Sequence, residues 1–421
     1  MRLELLEILR CPYCGGRLEL VESLFHRRTA GGILDGILGC HCCVFPVVDG
    51  IPVLHLQPPA TTARDQIQAG QPELARRTMI GTDDEAQAAE FEAVAASDDA
   101  TYRETVDALG PNFEAGYFLY RFSDPTYVVA DAVVRAAGGT VLHGARRAID
   151  ICGGSGHLTR SLLPLSSPPP VLADLYYAKV WLARRFTAPG CEPVCCDGNA
   201  PFPFARGAFA FAMCTDAFMY IWTKRQFVGE MERLVDDGRR NDGEPGAVLI
   251  GHTHNERTWT PSHGQPLSPE GYRDLFEGLQ PRIFGEAGLF DDVVRRGELD
   301  LARHDRSDVL DRDQALTIIA TRDERMFKRH RAGTTVPERA VGEFRVNPLY
   351  AAAPDGERVD LRLRFPSDDY ADEYGACREY LPEQVTVDRQ AVDALPSVTL
   401  PKSLEALVAK RVVLDLPKRY Y

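Results

Sequence analysis

Glycines and one acidic side chain mark a single segment of the chain as suited to ligand chemistry. Residues 149–156 read Ile-Asp-Ile-Cys-Gly-Gly-Ser-Gly, an apolar run containing Asp150 and followed by small residues. This pattern is typical of the first strand and turn of a βαβ unit, where glycines let a ligand approach the backbone. A dinucleotide site would place a third glycine where Thr159 stands. Because Asp150 would also repel a pyrophosphate, the pattern favours a cofactor that lacks phosphate and carries a cationic amino-acid part.

Further acids follow the next apolar runs along the chain. Asp174 ends the run Val171–Asp174 and lies 18 residues beyond Gly156, where an acid can accept hydrogen bonds from both ribose hydroxyls. Asp197 and Gly198 follow a third run, and Asp216 follows a fourth. Strands that alternate with helical segments predict an α/β, doubly wound sheet. The apolar runs assigned to this sheet are 149–151, 171–174, 194–196, 209–214, 246–250 and 315–321.

On these motifs, residues 140–322 resemble a class I S-adenosylmethionine-dependent methyltransferase. The resemblance implies a seven-stranded Rossmann-like sheet, with the methionine part of the cofactor at the first turn. It further implies ribose at Asp174 and adenine beside Asp197 and Gly198. Cys152 stands where the family usually has the first turn glycine, and a cysteine fits there if its φ stays negative. The implied cofactor-binding residues of the sheet edge are Asp150, Cys152, Gly153, Gly154, Gly156, Asp174, Asp197, Gly198 and Asp216.

The helical segment that precedes the first strand adds two candidate cofactor contacts. Residues 117–122 read Tyr-Phe-Leu-Tyr-Arg-Phe and lead into Ser-Asp-Pro, which predicts a break and a new helix start. In this methyltransferase class a helix before the first strand often covers the cofactor, which makes Tyr120 and Arg121 candidate lid residues. The alternative is an aromatic stripe that packs the helix against the sheet.

The amino-terminal segment carries a separate pattern of cysteines. Cys11 and Cys14 form one Cys-x-x-Cys knuckle, Cys40 and Cys43 form another, and 25 residues separate the two. Paired knuckles with such a gap predict a tetrahedral zinc site on a hairpin. Cys42 lies inside the second knuckle and is an alternative fourth ligand, while a disulfide pair is the alternative to zinc. The repeated spacing favours Cys43.

The residues around these knuckles carry a second resemblance. Residues 5–12 and 45–54 resemble the small zinc-ribbon activator subunit of tRNA and translation-factor methyltransferases. In that context the zinc is structural, since four thiolates leave no open coordination position for chemistry.

Candidate catalytic residues follow the fourth and fifth apolar runs, whose loops face the sulfonium methyl in this fold. His252 and His254 lie after the fifth run, and a neutral imidazole with a pKa near 6.5 can remove a proton from an acceptor. The alternative is that these histidines only hold the loop by hydrogen bonds. Tyr220 is a third candidate, to orient or deprotonate an amine, although packing is the more common use of such an aromatic. Trp222 and Trp259 could enclose a substrate or lie in the core.

Composition limits the class of protein. The 421 residues are 44% hydrophobic, enough for two or three packed domains, and 48 basic against 61 acidic residues give a net charge of −13. This balance argues against nucleic acid as a partner, because phosphate neutralisation supplies much of such affinity. We find no signal peptide and no apolar run of the length that spans a bilayer. Eleven cysteines without a secretory context predict reduced thiols and a cytoplasmic location.

Four segments are expected along the chain. They are a zinc ribbon at 1–56, a linker or exposed helices at 57–100, a methyltransferase domain with an amino-terminal helical lid at 101–322, and an appended α+β region at 323–421. The appended region carries no motif and could cover the substrate or support a homodimer. The expected function is methyl transfer to a small-molecule acceptor, as in secondary metabolism. The alternatives are a methyltransferase acting on protein or RNA, and a non-catalytic cofactor-binding scaffold that binds a partner.

Overall fold

The computed structural model describes residues 1–82, 84–110, 116–235, 243–260, 264–332 and 339–421. Its first element group is a small antiparallel β unit in which β3 pairs with both β1 and β4, and β4 continues to β5. The expected β ribbon is therefore present. Its elements are α1 (Leu3–Ile8), β1 (Glu19–Leu20), β2 (Arg27–Thr29), β3 (Gly32–Gly39), β4 (Val44–Val48) and β5 (Ile51–Pro52).

Helices follow the ribbon. The segment at 57–100, expected as a linker or exposed helices, forms three helices, and each buries one face, with Ala63, Met79 and Phe91 in the core. A 3₁₀ helix at Gly116–Ser123 then precedes a long helix that begins at Pro125, where Asp124 caps the Tyr127 N–H at 2.6 Å. The helices are α2 (Pro58–Gln68), α3 (Pro72–Ile80), α4 (Glu85–Ala96), α5 (Tyr102–Leu109) and α6 (Pro125–Val141).

A seven-stranded sheet follows α6 and confirms the doubly wound architecture. The strand order is β11-β13-β10-β9-β6-β7-β8, and β13 alone runs antiparallel to its neighbours. The elements are β6 (Ala148–Ile151), α7 (Thr159–Leu162), β7 (Val171–Asp174), α8 (Tyr177–Leu182), β8 (Glu192–Cys195), β9 (Phe211–Thr215), α9 (Lys224–Leu234), β10 (Ala247–His254), α10 (Pro269–Arg273), β11 (Pro281–Gly285), α11 (Glu286–Phe290), β12 (Glu298–Asp300), α12 (Ser307–Leu310) and β13 (Ala315–Thr321).

Both faces of this sheet are buried, as expected for strands that read as nearly continuous apolar runs. Successive residues point to opposite faces, so that Ala148 and Ile149 belong to different core clusters. One cluster includes Val133 of α6, and the other includes Phe227 of α9 together with Leu9 beside α1. The ribbon contributes to both clusters, since Val48 of β4 belongs to the first and Val47 to the second.

The ribbon also extends the sheet at its edge. Val53 bridges Cys195 of β8 in parallel orientation, and the Leu54 N–H donates to the Cys195 carbonyl at 2.7 Å. On the face side, the Tyr177 hydroxyl donates to the Val48 carbonyl at 3.0 Å. Because β8 would otherwise present unpaired backbone groups, the ribbon covers an exposed edge.

The carboxy-terminal region forms two three-stranded sheets, β19-β15-β20 and β16-β17-β18, around its own apolar cluster, and an earlier short pair joins β12 to β14. The appended α+β region is therefore confirmed. Its elements are β14 (Arg329–Arg331), β15 (Arg339–Val346), β16 (Tyr350–Asp355), β17 (Arg358–Leu363), α13 (Asp368–Tyr374), β18 (Gln384–Asp388), α14 (Arg389–Asp393), β19 (Ser397–Thr399), α15 (Glu405–Ala409) and β20 (Val413–Leu416). Among the described residues, no helix has both the length and the apolar character that crossing a bilayer requires.

Candidate functional site

The turn after β6 has left-handed backbone conformations at three residues. Cys152 has φ +59°, Gly154 has φ +54° and Gly156 has φ +77°. The expectation of a negative φ at Cys152 was therefore wrong. The Cys152 N–H donates to the Ala173 carbonyl of β7 at 2.7 Å, so the residue stays bonded to the neighbouring strand while the chain turns away. The cysteine accepts a strain of about 1–2 kcal/mol that a glycine would avoid.

Asp150 lies under this turn rather than on its surface. Its side chain is 2% exposed and accepts a hydrogen bond from the Thr159 hydroxyl at 2.6 Å. Burial raises the pKa of Asp150 to about 7. A Cβ at Gly153 would lie 2.5 Å from the Asp150 carboxylate oxygen, so only glycine fits at position 153. Asp150 and Gly153 together set the shape of the turn.

Asp174, at the end of β7, joins the second strand to the same turn. Its carboxylate accepts hydrogen bonds from the Gly154 N–H at 3.0 Å and from the Tyr176 N–H at 2.9 Å. Burial raises the pKa of Asp174, while those two amides and the nearby Lys179 ammonium act in the opposite direction. Lys179 also lies 5.3 Å from the centre of the Phe118 ring, which brings the 3₁₀ helix close to the turn.

Asp197 and Gly198 follow β8 on the same edge of the sheet. The Asp197 carboxylate accepts from the Asn199 N–H at 2.8 Å and from the Gln57 amide at 3.4 Å. A Cβ at Gly198 would lie 3.1 Å from the Cys152 sulfur, so the first and third loops approach closely here. The segment that leaves the ribbon therefore reaches the strand end where adenine is expected.

Arg121 links the 3₁₀ helix to the loop after β9. Its guanidinium donates to Asp124 at 3.1 Å and to Asp216 at 2.8 Å, and its side chain is 6% exposed. Burial alone would lower the pKa of Arg121, but the Asp124 and Asp216 carboxylates raise it. Tyr120 is half-buried, with its ring 5.7 Å from that of Tyr370 in the carboxy-terminal region. Both candidate lid residues thus lie where one segment covers the sheet edge.

His252 forms a short ion pair with Glu286, at the start of α11. The Nδ1 atom lies 2.6 Å from one carboxylate oxygen, and the other oxygen accepts the His252 N–H at 2.8 Å and the Thr317 hydroxyl at 2.7 Å. Burial would lower the pKa of His252, but Glu286 raises it to about 9. The expectation of a pKa near 6.5 is therefore corrected, and the imidazole is protonated at neutral pH.

The two histidines belong to β10 itself rather than to a following loop. The strand continues to His254, which pairs with Ala315 of β13, after a register shift between Ile250 and Thr253. His252 lies in that shift with φ +46°. The prediction ended this strand at Ile250, where the apolar residues stop, because a bulge interrupts the regular pattern of the strand at that point. The His252 and His254 rings are 5.8 Å apart, and burial together with His252 lowers the pKa of His254.

Three candidate acceptor-side aromatics are exposed on the loops after β9 and β10. Tyr220 is 52% exposed, Trp222 is 72% exposed and Trp259 is 80% exposed. Packing in the core is therefore excluded for both tryptophans. The backbone N–H of Trp222 donates to the Asn199 side-chain oxygen at 2.8 Å. This bond joins the loop after β9 to the loop that carries Asp197.

Four cysteine sulfurs of the ribbon lie within 4.8 Å of one another: those of Cys11, Cys14, Cys40 and Cys42. The pairs Cys11–Cys42, Cys14–Cys40 and Cys40–Cys42 are 3.6, 3.7 and 3.5 Å apart. Sulfurs bound to one tetrahedral zinc at about 2.3 Å would be about 3.8 Å apart, so the donor set fits zinc.

The fourth sulfur of this cluster is that of Cys42, which the sequence offered as the alternative to Cys43. The Cys43 sulfur lies 3.3 Å from the Cys42 sulfur, so Cys43 stays the prediction from the knuckle spacing. The Cys40 N–H donates to the Cys43 carbonyl at 3.0 Å, one residue before β4 begins at Val44. The side chains of Cys40 and Cys43 are both partly buried against the apolar core.

Several residues that the sequence interpretation did not name lie at this edge. Gln57 contacts Asp197, Lys179 and Phe118 lie beside the glycine turn, and Glu286 holds His252. Glu286 is 34 residues from His252 along the chain, and no local pattern connects the two. Of these residues, only Lys179 could have been predicted from the local sequence, because it is a cation in the helix that follows Asp174 at the end of β7.

Comparisons with known proteins give structural matches only. No profile of a known family and no curated protein matches the chain. A candidate methyltransferase from Bacillus halodurans matches at 17% identity and a TM-score of 0.30, covering 46% of this chain and 96% of its own. A chain of the complex between the Haloferax volcanii Trm112 methyltransferase activator and its candidate methyltransferase matches at 18%, with a TM-score of 0.36, covering 47% and 91%. Geranyl diphosphate C-methyltransferase from Streptomyces coelicolor matches at 16%, with a TM-score of 0.31, covering 44% and 73%. We draw no functional conclusion from likeness at this level.

Proposed function

We propose that this protein is an S-adenosylmethionine-dependent methyltransferase that acts on a small-molecule acceptor. The observation that carries the proposal is the arrangement of strand ends on one edge of the sheet. The glycine turn after β6, Asp174 at the end of β7 and Asp197 just after β8 lie on three adjacent parallel strands. Ligands of open α/β sheets bind at the carboxyl ends of such strands.

The acids at this edge suit a nucleoside that carries no phosphate. A carboxylate offers about four acceptor positions, and the Gly154 and Tyr176 amides occupy two of those on Asp174. Asp174 therefore retains capacity for ribose hydroxyls. Gly154 and Gly156, which have no Cβ, allow a ligand to approach the backbone between them.

The acceptor side is assigned to the His252–Glu286 pair. Glu286 holds Nδ1 at 2.6 Å and fixes the ring orientation, so Nε2 is the atom that can take a proton from an acceptor. The imidazole must first lose the proton that Glu286 stabilises. Because the pKa of His252 is about 9, turnover of an acceptor that loses a proton should increase with pH up to about that value.

The bound cofactor's sulfonium supplies the electrophilic methyl group, and the chain contributes mainly by positioning the acceptor. Arg121 and Asp216, paired at 2.8 Å, hold the covering segment against the loop after β9. The exposed rings of Tyr220, Trp222 and Trp259 favour an acceptor with apolar or aromatic surface. The net charge of −13 opposes a long polyanion.

The test is a set of three incubations, each of which contains the protein and methyl-labelled S-adenosylmethionine. One receives the small-metabolite fraction of a cell extract, one the RNA fraction and one the protein fraction. We expect label in a small metabolite, strongly reduced in His252→Gln and unchanged in His304→Gln, an exposed histidine that serves as control. Label in RNA or protein alone would contradict the acceptor class. Absence of label in every fraction would contradict the activity.

A further inference from the structure

A basic cavity lies at the opposite edge of the sheet from the strand ends described above. Its volume is about 470 Å³, and it is formed where the last turns of α6 meet the segment after β13. Six of its nine lining residues are Arg, Lys or His, and none is acidic: Arg135, His143, Arg325, Lys328, His330 and Arg331. This is unusual in a chain whose acidic residues outnumber its basic ones by 61 to 48.

The sequence between residues 322 and 331 supplies most of these cations. It reads Arg-Asp-Glu-Arg-Met-Phe-Lys-Arg-His-Arg, with five Lys or Arg against two acids. The 3₁₀ helix at Glu324–Met326 and the short strand β14 orient Arg325 and Arg331 toward α6. No motif was predicted in this region of the sequence.

Two of the cations are already neutralised. Arg135 is paired with Asp131 at 2.8 Å, and Arg325 is paired with Asp323 at 2.8 Å as well as with Glu244. Lys328 and Arg331 differ, because within the described residues neither side chain has an ion pair or hydrogen bond, and both are exposed. These two side chains are therefore the ones available to a ligand.

The helix end in the cavity does not cancel this charge. The carboxyl end of a helix carries partial negative charge and would disfavour an anion. Here the Arg146 guanidinium donates to the Val141 carbonyl at 2.8 Å, and the Leu142 N–H donates to the Gly138 carbonyl at 2.7 Å. Two of the last carbonyls of α6 thus have donors of their own.

We propose that this cavity binds a small molecule that carries a diphosphate group. The volume is far larger than one phosphate ion needs and falls within the range of small-molecule sites. Lys328 and Arg331 supply two charged donors that have no partner among the described residues, whereas His330 Nε2 is bonded to the Met326 carbonyl at 2.9 Å and His143 Nε2 lies 3.8 Å from Glu244. The site is separate from the proposed methyl-transfer site, because the glycine turn lies at the other ends of the same strands.

A long nucleic acid fits this surface less well than a compact anion does. A phosphate backbone requires a continuous basic track. On the β12–β14 pair, Glu298 faces Arg331 in register and Asp300 pairs with Arg329 at 3.2 Å, so acids interrupt the basic surface next to the cavity. The basic surface next to the cavity is therefore discontinuous.

The experiment is calorimetric titration of the full chain with inorganic pyrophosphate at constant ionic strength. We expect saturable binding that the double variant Lys328→Gln/Arg331→Gln weakens by about tenfold or more, since two charge-assisted hydrogen bonds are lost. The matched control is Lys402→Gln/Lys410→Gln, which removes the same charge from two exposed lysines outside the cavity and should bind as the wild type does.

Three results would overturn the proposal. They are no saturable binding to the wild type, an equal loss in both double variants, and binding of an RNA oligonucleotide that pyrophosphate does not displace. The third result would assign the surface to nucleic acid. Thermal unfolding of both double variants checks that they fold, which we expect because all four side chains are exposed.

Discussion

Cys152 combines a functional position with a conformation that its residue type disfavours. It occupies the first position of the turn with φ +59°, where a glycine would be unstrained. Its sulfur also lies near Gly198, so the side chain fills space between the first and third loops. Strain of this kind is found mainly where the surrounding structure holds it in place.

Replacing Cys152 with glycine should therefore destabilise the protein less than replacing it with alanine does. Relief of about 1–2 kcal/mol of left-handed strain outweighs the entropic cost of a glycine, about 0.5–1 kcal/mol. Cys152→Ala is the matched control, because it removes the thiol and keeps the strain. Urea denaturation should rank the glycine variant above the alanine variant, and equal stability of the two would contradict the strained turn.

The His252–Glu286 pair predicts a titration that does not require a known acceptor. Since Glu286 raises the pKa of His252 from 6.5 to about 9, the imidazole should stay protonated through neutral pH. Nuclear magnetic resonance of the labelled ring should show this midpoint, and Glu286→Gln should move it to lower pH. A wild-type midpoint near 6.5, or an unchanged midpoint in the variant, would remove Glu286 from its positioning role.

The sequence predicted which residue types lie at the strand ends but not their partners. Asp150, Asp174 and Asp197 lie within, at the end of or just after apolar runs, which is a local pattern. The partners Glu286 and Gln57 come from distant segments. The pKa of His252 could not be predicted for the same reason. It depends on a carboxylate that only the folded sheet brings within 2.6 Å.

At the scale of elements, the ribbon packs along the β8 edge of the sheet. The chain leaves the ribbon beside β8, and Gln57 then reaches Asp197 at 3.4 Å. The ribbon could be predicted from its cysteine spacing, but its pairing with β8 could not, because an edge contact between two segments leaves no periodic signal. Likewise β11 (Pro281–Gly285) was missed, since its sequence is short and begins with proline and arginine.

The cysteine cluster gives a metal prediction at this scale. Cys42→Ser should lose zinc and unfold the ribbon at lower temperature, because a tetrahedral site requires all four thiolates. Cys43→Ser is the matched control, adjacent in sequence and outside the cluster, and should retain one zinc per chain by elemental analysis. Zinc loss in Cys43→Ser with retention in Cys42→Ser would contradict this prediction and make Cys43 the fourth ligand, as the equal spacing of the knuckles predicts.

At the scale of the whole molecule, the carboxy-terminal region holds the segment that covers the sheet edge. The Tyr420 hydroxyl donates to the Phe118 carbonyl at 2.8 Å, Arg411 donates to Phe122 at 3.0 Å, and Tyr380 donates to Ser123 at 2.7 Å. All three acceptors belong to the 3₁₀ helix that carries Tyr120 and Arg121. The region therefore positions the candidate lid.

Tyr420→Phe should destabilise the protein by about 1–3 kcal/mol, because the partly buried Phe118 carbonyl loses its donor. The variant also removes the hydroxyl that lies 2.7 Å from His157 Nε2. Tyr176→Phe is the control, since Tyr176 is 64% exposed and should change the free energy of unfolding little. Equal effects of the two substitutions in chemical denaturation would show that the buried hydroxyl does not hold the 3₁₀ helix.

The central claim is that acids at adjacent strand ends bind the nucleoside of S-adenosylmethionine. Calorimetric titration with S-adenosylhomocysteine tests it most directly. We predict saturable binding that Asp174→Asn weakens by about tenfold or more, through loss of charge-assisted hydrogen bonds to ribose. Asp99→Asn, at an exposed acid, should bind as the wild type does. No saturable binding by the wild type, or equal affinity in Asp174→Asn, would contradict the account.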